Sequence, residues 1–210
     1  AYPKEAALLE KYIKADVNSE LIGSLAFFEP VEGGIATRTA SGKVMNLIEN
    51  YMTEFIGGSA DLAPSTKTEL SGCGSFGIAG RCSRNIHFGV REHAMGAIIN
   101  GMALHGGLIP YAATFLSFLD YMREPVRLAA MMKTHSIFVF THDSIGLGED
   151  GPTHQPVEHI SSLRLVPDLT VIRPADANET VAAWYWAITA KKPVALIFTR
   201  QNVPVLDTKK

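Results

Sequence analysis

Apolar residues along the chain gather in short runs, most of them followed by a longer stretch with helical spacing. The runs at 54–59, 85–90, 108–112, 136–140, 169–173 and 194–199 have the length and the β-branched or aromatic bias of buried strands. Helical spacing fills the later intervals, at about 92–105, 117–132, 155–164 and 176–190. Such alternation predicts an α/β domain with a mostly parallel central sheet and helices on both faces. Near-continuous apolar strands fit burial on both sides, and right-handed crossovers put every strand's carboxyl end along one edge. Upstream, residues 5–14 carry an apolar stripe of Ala7, Leu8, Tyr12 and Ile13. The Gly- and Pro-containing stretch 23–34 reads as a linker or arm. A further helix is expected over 42–53, capped by Thr39 or Ser41, with Val44, Leu47, Ile48 and Tyr51 inward. The expected organisation is an N-terminal arm at 1–35, a domain at 36–205 and a tail at 206–210.

The residues after each predicted strand are far from bland. Asp61 and Ser65 follow the first, Glu92 and His93 the second, Thr114 and Phe115 the third. His142 and Asp143 follow the fourth, Pro174 and Asp176 the fifth, Arg200 and Gln201 the last. Ligands of open α/β sheets bind outside the carboxyl ends of the strands, so a composite site is expected there. The loop 141–154 brings two histidines and three acids to it among three glycines and a proline.

Bulk composition narrows the chemistry. At 210 residues, 47% apolar and 19% charged, the chain fits one large globular domain with a sizeable core. A formal charge of −2 gives no electrostatic reason to expect nucleic acid or an anionic membrane. An anionic substrate must then be held by a few placed cations. Cys73 and Cys82 have no second pair, which argues against zinc, leaves a disulfide open, and suits a reducing compartment. The charged N-terminus lacks a signal-peptide core and no stretch is long and apolar enough to span a bilayer. The expected location is cytoplasmic, or a plastid or other organelle after removal of a transit peptide.

Individual residues leave alternatives open. Phe115, Phe118 and Tyr121 are spaced i, i+3, i+6: an aromatic pocket for a flat heterocycle, or, as spacing alone favours, three core rings. Glu92 either interacts with its helix N-terminus or serves as a partly desolvated acid sharing a proton with a ring nitrogen. Arg38 and Arg200 suit phosphate if they meet in one cleft, and are otherwise solvated. His142 and His154 match no compact zinc pattern. Ala97 and Gly101, four apart, permit close approach of another backbone, within the fold or across a subunit interface.

Several long motifs in one order go further. Gly57-Gly-Ser-Ala-Asp-Leu-Ala-Pro-Ser65, Gly89-Val-Arg-Glu-His-Ala-Met-Gly96, Thr141 to His154, Arg173-Pro-Ala-Asp-Ala-Asn-Glu179 and Thr199-Arg-Gln-Asn202 together resemble the pyrimidine-binding domain of transketolase, over about residues 30–205. The resemblance implies a thiamine diphosphate enzyme transferring a two-carbon ketol unit between sugar phosphates, a cytoplasmic homodimer with its sites between subunits. Glu92 matches the glutamate that hydrogen-bonds the aminopyrimidine and promotes the tautomer that accepts the thiazolium proton. Phe115, Phe118 and Tyr121 match the aromatic pocket, and Asp61 an acid near the cofactor. Arg38, Ser65, His142 and Arg200 match substrate-phosphate contacts. Asp150 and His154 match contacts to the donor's hydroxyls and developing oxyanion. The family's Gly-Asp-Gly motif and its asparagine, which hold Mg2+ or Ca2+ on a diphosphate-binding domain, do not occur in these 210 residues. The chain alone is therefore expected to be inactive. A dihydroxyacetone synthase-like transfer, or a stand-alone dimerisation or binding domain, are the alternatives.

Overall fold

A computed structural model describes residues 2–14, 16–17, 19–77 and 83–206. Cys82 and most of the expected tail lie outside them. The elements run α1 (Pro3–Lys14), α2 (Ser19–Ser24), β1 (Ile35–Ala36), α3 (Thr37–Tyr51), β2 (Phe55–Ser59), α4 (Ala63–Thr66), β3 (Asn85–His87), α5 (Glu92–His105), β4 (Ile109–Phe115), α6 (Leu119–Met132), β5 (Ile137–Thr141), α7 (His159–Arg164), β6 (Thr170–Ile172), α8 (Ala177–Thr189), β7 (Val194–Ile197) and β8 (Asn202–Val203). Six strands form one parallel sheet in the order β3-β2-β4-β5-β7-β6. The α/β expectation holds: every one of the six apolar runs supplies one of these strands.

Alternate residues of each strand enter two cores, as the two-residue period of a strand requires. Tyr111, Ile137, Val139 and Leu196 meet α3 and α8 around Trp184. Ala112, Phe138, Phe140 and Ile197 meet α5, α6 and α7 around Met95 and Val126. Leu21 of α2 also inserts into the first core. The connection leaving β2 leads outward to β3, while that leaving β4 leads the other way to β5. Connections that diverge from adjacent strands open a crevice at their carboxyl ends, here between β2 and β4.

Several boundaries differ from expectation. Helix α3 starts at Thr37, and Ala36 is its N-cap with no side-chain bond. Ser41 is instead buried and accepts the indole N–H of Trp184 at 2.9 Å. Strand β3 is shorter and β4 longer than their apolar runs. The 155–164 helix begins only at His159, after a 3-10 turn over Pro152–His154. The α1 stripe enters no core: none of its residues is buried, and half-buried Tyr12 reaches the domain, its hydroxyl bonding Thr53 Oγ1 at 2.7 Å. Gly101 faces open space and Ala97 is exposed; the close approach occurs one face over, at Gly96. A Cβ on Gly96 would lie 2.8 Å from Pro125 Cβ and 2.9 Å from Met122 Cγ.

Candidate active site at the carboxyl edge of the sheet

Glu92 is the first residue of α5 and is buried, 6% exposed. A carboxylate here interacts favourably with the helix N-terminus, so both readings of Glu92 are compatible in one side chain. Thr114, buried near the end of β4, donates its hydroxyl to Glu92 Oε1 at 3.5 Å. The next residue, Phe115, begins a row of rings. Phe115 and Phe118 stack with centroids 5.8 Å apart, and Phe118 lies 6.0 Å from Tyr121. Burial grades along the row: Phe115 is inside, Phe118 half-buried and Tyr121 64% exposed. The row is thus a wall with an accessible end and not only core packing. It is not one helical turn either, since Phe115 ends a strand, Phe118 sits in a 3-10 turn and Tyr121 lies in α6.

The two histidines of the 141–154 loop come to this wall. His142 lies against Phe115 with centroids 3.8 Å apart, and His154 approaches Phe118 at 5.1 Å. His142 is a buried non-glycine residue in the left-handed region, φ 58°, a conformation that costs energy and is common at functional sites. Thr141 and Asp143 hold it there. The Thr141 hydroxyl is 2.9 Å from His142 Nδ1. Asp143, whose side chain is fully buried, accepts from Arg173 Nε at 2.8 Å and pairs with Nη2 at 2.6 Å. Burial first, then the Arg38 charge, pushes the His142 imidazole down to about 4, with Asp150 opposing. The ring is neutral at pH 7.

Arg38 and Arg200, distant in sequence, meet because their backbones are clamped. Thr37 N donates to Thr199 Oγ1 at 3.0 Å, Thr199 N donates to Thr37 Oγ1 at 2.7 Å, and Arg38 N donates to Thr199 O. Arg38 Nη1 donates to the Ser65 carbonyl at 2.6 Å, while its buried Nε has no partner. The Arg38 pKa is lowered by burial and by Arg200, and Asp150 partly offsets both. A Cβ on Gly148, at φ +100°, would lie 3.0 Å from Arg200 Cζ, so the loop glycine lets the guanidinium lie against the backbone. Two arginines, a histidine and the N-terminus of the 15-residue α3 gather here, groups whose chemistry suits an anion.

Ten of the eleven predicted site residues lie at the wall or the cationic cluster, Glu92 through Thr114 and Asp150 through its charge on Arg38 and His142. Asp61 stands apart: left-handed at φ 62°, it lines a cavity of about 250 Å³ between the ends of β2 and β3, with Ser59, Thr68 and His87. Asp176 is structural, because it caps α8 by accepting from Glu179 N at 2.8 Å. Thr114 and Asp143 stood out in the sequence only as strand exits, and Thr37, Thr141, Arg173 and Thr199 were given no role of their own. Arg173 and Thr199 sit inside quoted motifs, but a hydroxyl or ion pair that acts by holding a neighbour has no spacing of its own.

A protein-family model described as the pyrimidine binding domain of transketolase matches residues 33–205. The chain belongs to the transketolase family. A transketolase from Nostoc sp. is 54% identical over 209 residues, covering 98% of this chain and 31% of that protein. The transketolase of Aquifex aeolicus is 50% identical over all of this chain and 30% of its own length. Among solved structures, transketolase from Pichia stipitis in complex with sedoheptulose 7-phosphate superposes with a TM-score of 0.92 at 44% identity, covering 98% of this chain and 31% of that one. A split-gene transketolase, described as an inactive β4 tetramer, superposes at 0.69 with 29% identity, over 84% of this chain and 55% of that one. The chain thus spans about three-tenths of the curated relatives it matches.

Proposed function

We propose that this chain forms the pyrimidine and sugar-phosphate half of a thiamine diphosphate-dependent transketolase site, acting with a diphosphate-binding domain that holds Mg2+ or Ca2+. One observation carries the reading: a buried carboxylate and a graded aromatic wall stand beside a neutral histidine and two clamped arginines. The wall's accessible end suits a flat heterocycle, and Glu92 is placed to share a proton with a ring nitrogen. When bound, the cofactor supplies the electron sink for cleaving the ketose carbon–carbon bond. Asp61, although it lines a separate cavity at the ends of β2 and β3, matches the family's acid near the cofactor. Arg38, Arg200 and the Ser65 turn bind the phosphate, and neutral His142 donates to it without adding charge. Asp150 and His154 receive the donor's hydroxyls and the developing oxyanion.

The test is reconstitution with a complementary diphosphate-binding half, thiamine diphosphate and Mg2+, followed by ketol transfer from a ketose phosphate to an aldose phosphate. Glu92→Ala should lose roughly 10²–10⁴-fold in kcat with a melting temperature close to wild type. No transfer from well-folded halves would defeat the proposal. An acceptor panel including formaldehyde separates transketolase from a dihydroxyacetone synthase-like activity.

A second reading, that the chain alone is inactive, is supported by the split-gene relative described as an inactive tetramer. Homodimerisation is also proposed. Ile98, Leu104, Leu128 and Met131 of the adjoining α5 and α6 are 47–62% exposed, and exposed apolar patches mark interaction sites.

A further inference from the structure

Among the described residues, one nitrogen of His159 and one oxygen each from Asp120 and Glu158 lie within 4.8 Å of one another. These residues are distant from the anion-binding cluster in role and are used by nothing above. His159 is the unusual member. It is 5% exposed, yet neither ring nitrogen has a hydrogen-bond partner. Its Nε2 faces Asp120 Oδ2 at 3.4 Å and its Nδ1 faces Glu158 Oε2 at 3.9 Å. Burying an imidazole whose nitrogens make no hydrogen bond is costly, and the two carboxylates reach it only at ion-pair distance.

We infer that His159, Asp120 and Glu158 form a site for a divalent transition-metal ion between α6 and α7. Imidazole with two carboxylates suits Zn2+ and Co2+, whereas Mg2+ and Ca2+ take oxygen donors. Metal bonds of about 2.0–2.2 Å need the donors somewhat closer than they stand. The ion takes one ring nitrogen of buried His159, and Asp120 and Glu158, whose side chains are 53% and 68% exposed, can rotate toward that side. Arg123 Nη2 holds the other Asp120 oxygen at 2.9 Å, leaving Oδ2 for the ion. Water fills the remaining positions on the exposed side.

The ion would tie the two ends of one functional segment. Asp120 lies between Phe118 and Tyr121 of the aromatic wall, and Glu158 follows the loop that carries His154. Metal binding therefore fastens that loop to the wall at a point outside the catalytic groups. Titrating the 210-residue chain with Co2+, without thiamine diphosphate, should give a visible absorption band saturating at one ion per chain. Zn2+ should displace the Co2+, and a large excess of Mg2+ should not. His159→Gln and Asp120→Asn should each weaken binding by at least about 10–100-fold. Because Asp120 is exposed, Asp120→Asn keeps the fold and decides the matter if His159→Gln does not. Absence of a saturating band, or equal affinity in wild type and Asp120→Asn, would overturn the site and assign any binding to surface histidines.

Discussion

His142 has a buried threonine hydroxyl at its Nδ1 and feels the charges of Arg38 and Arg200, and its burial and the Arg38 charge set its protonation. With an imidazole at about 4 in the folded protein, an NMR titration should find its midpoint far below that of an exposed histidine. Arg38→Gln should raise the midpoint, and Asp150→Asn, which removes the opposing charge, should lower it further. The same shift governs stability. The unfolded chain takes up this proton near 6.5 and the folded chain does not until about 4, so lowering pH through that window favours unfolding. His142→Gln should flatten the stability–pH profile between 6.5 and 4, measured by denaturant titration at each pH. At neutral pH the proposed phosphate site would offer two full charges and one neutral donor. Arg200→Gln removes charge-assisted hydrogen bonds worth roughly 1.5–3 kcal/mol, and should raise KM for sugar phosphates about 10- to 100-fold in the reconstituted enzyme with less effect on kcat.

Trp184 shows how the elements are fastened. It is fully buried on α8, lies edge-on to Phe55 of β2 with centroids 5.8 Å apart, and donates to Ser41 of α3. Trp184→Ala should cost about 3–5 kcal/mol, read as a lower denaturation midpoint. Gly96→Val should also destabilise, by about 1–3 kcal/mol, because the added carbons meet Pro125 and Met122 across the α5–α6 contact. Comparison of these elements explains what was legible beforehand. The central strands β2, β4, β5 and β7 could be read because both of their faces are buried, a pattern that survives without tertiary knowledge. The start of α3 could not, since its N-cap is an alanine and its first residues are tied down by Thr199, far along the chain. The short β1–β8 ribbon and α4 were missed for the same reason: two to four residues carry no period. At the site, the charged and aromatic groups were visible as exits from strands. The pairings that support them were not, because Thr37–Thr199 and Asp143–Arg173 are made only by the fold.

For the molecule as a whole, one edge of one sheet carries the candidate chemistry, while the exposed α5–α6 surface lies on a helical face. Sedimentation across a concentration range should show self-association that Leu104→Glu and Met131→Glu weaken together; a monomer at all concentrations would remove the homodimer from the proposal. The β1–β8 ribbon has a further consequence. Ile35 pairs with Val203 and Ala36 with Asn202, so the polypeptide comes into the sheet domain and leaves it at neighbouring points. A module whose two attachment points touch can be spliced into a longer protein, or carried by a separate gene, without stretching its interior. Rejoining those points with a short loop and opening the chain at an exposed turn should give a circular permutant that still folds.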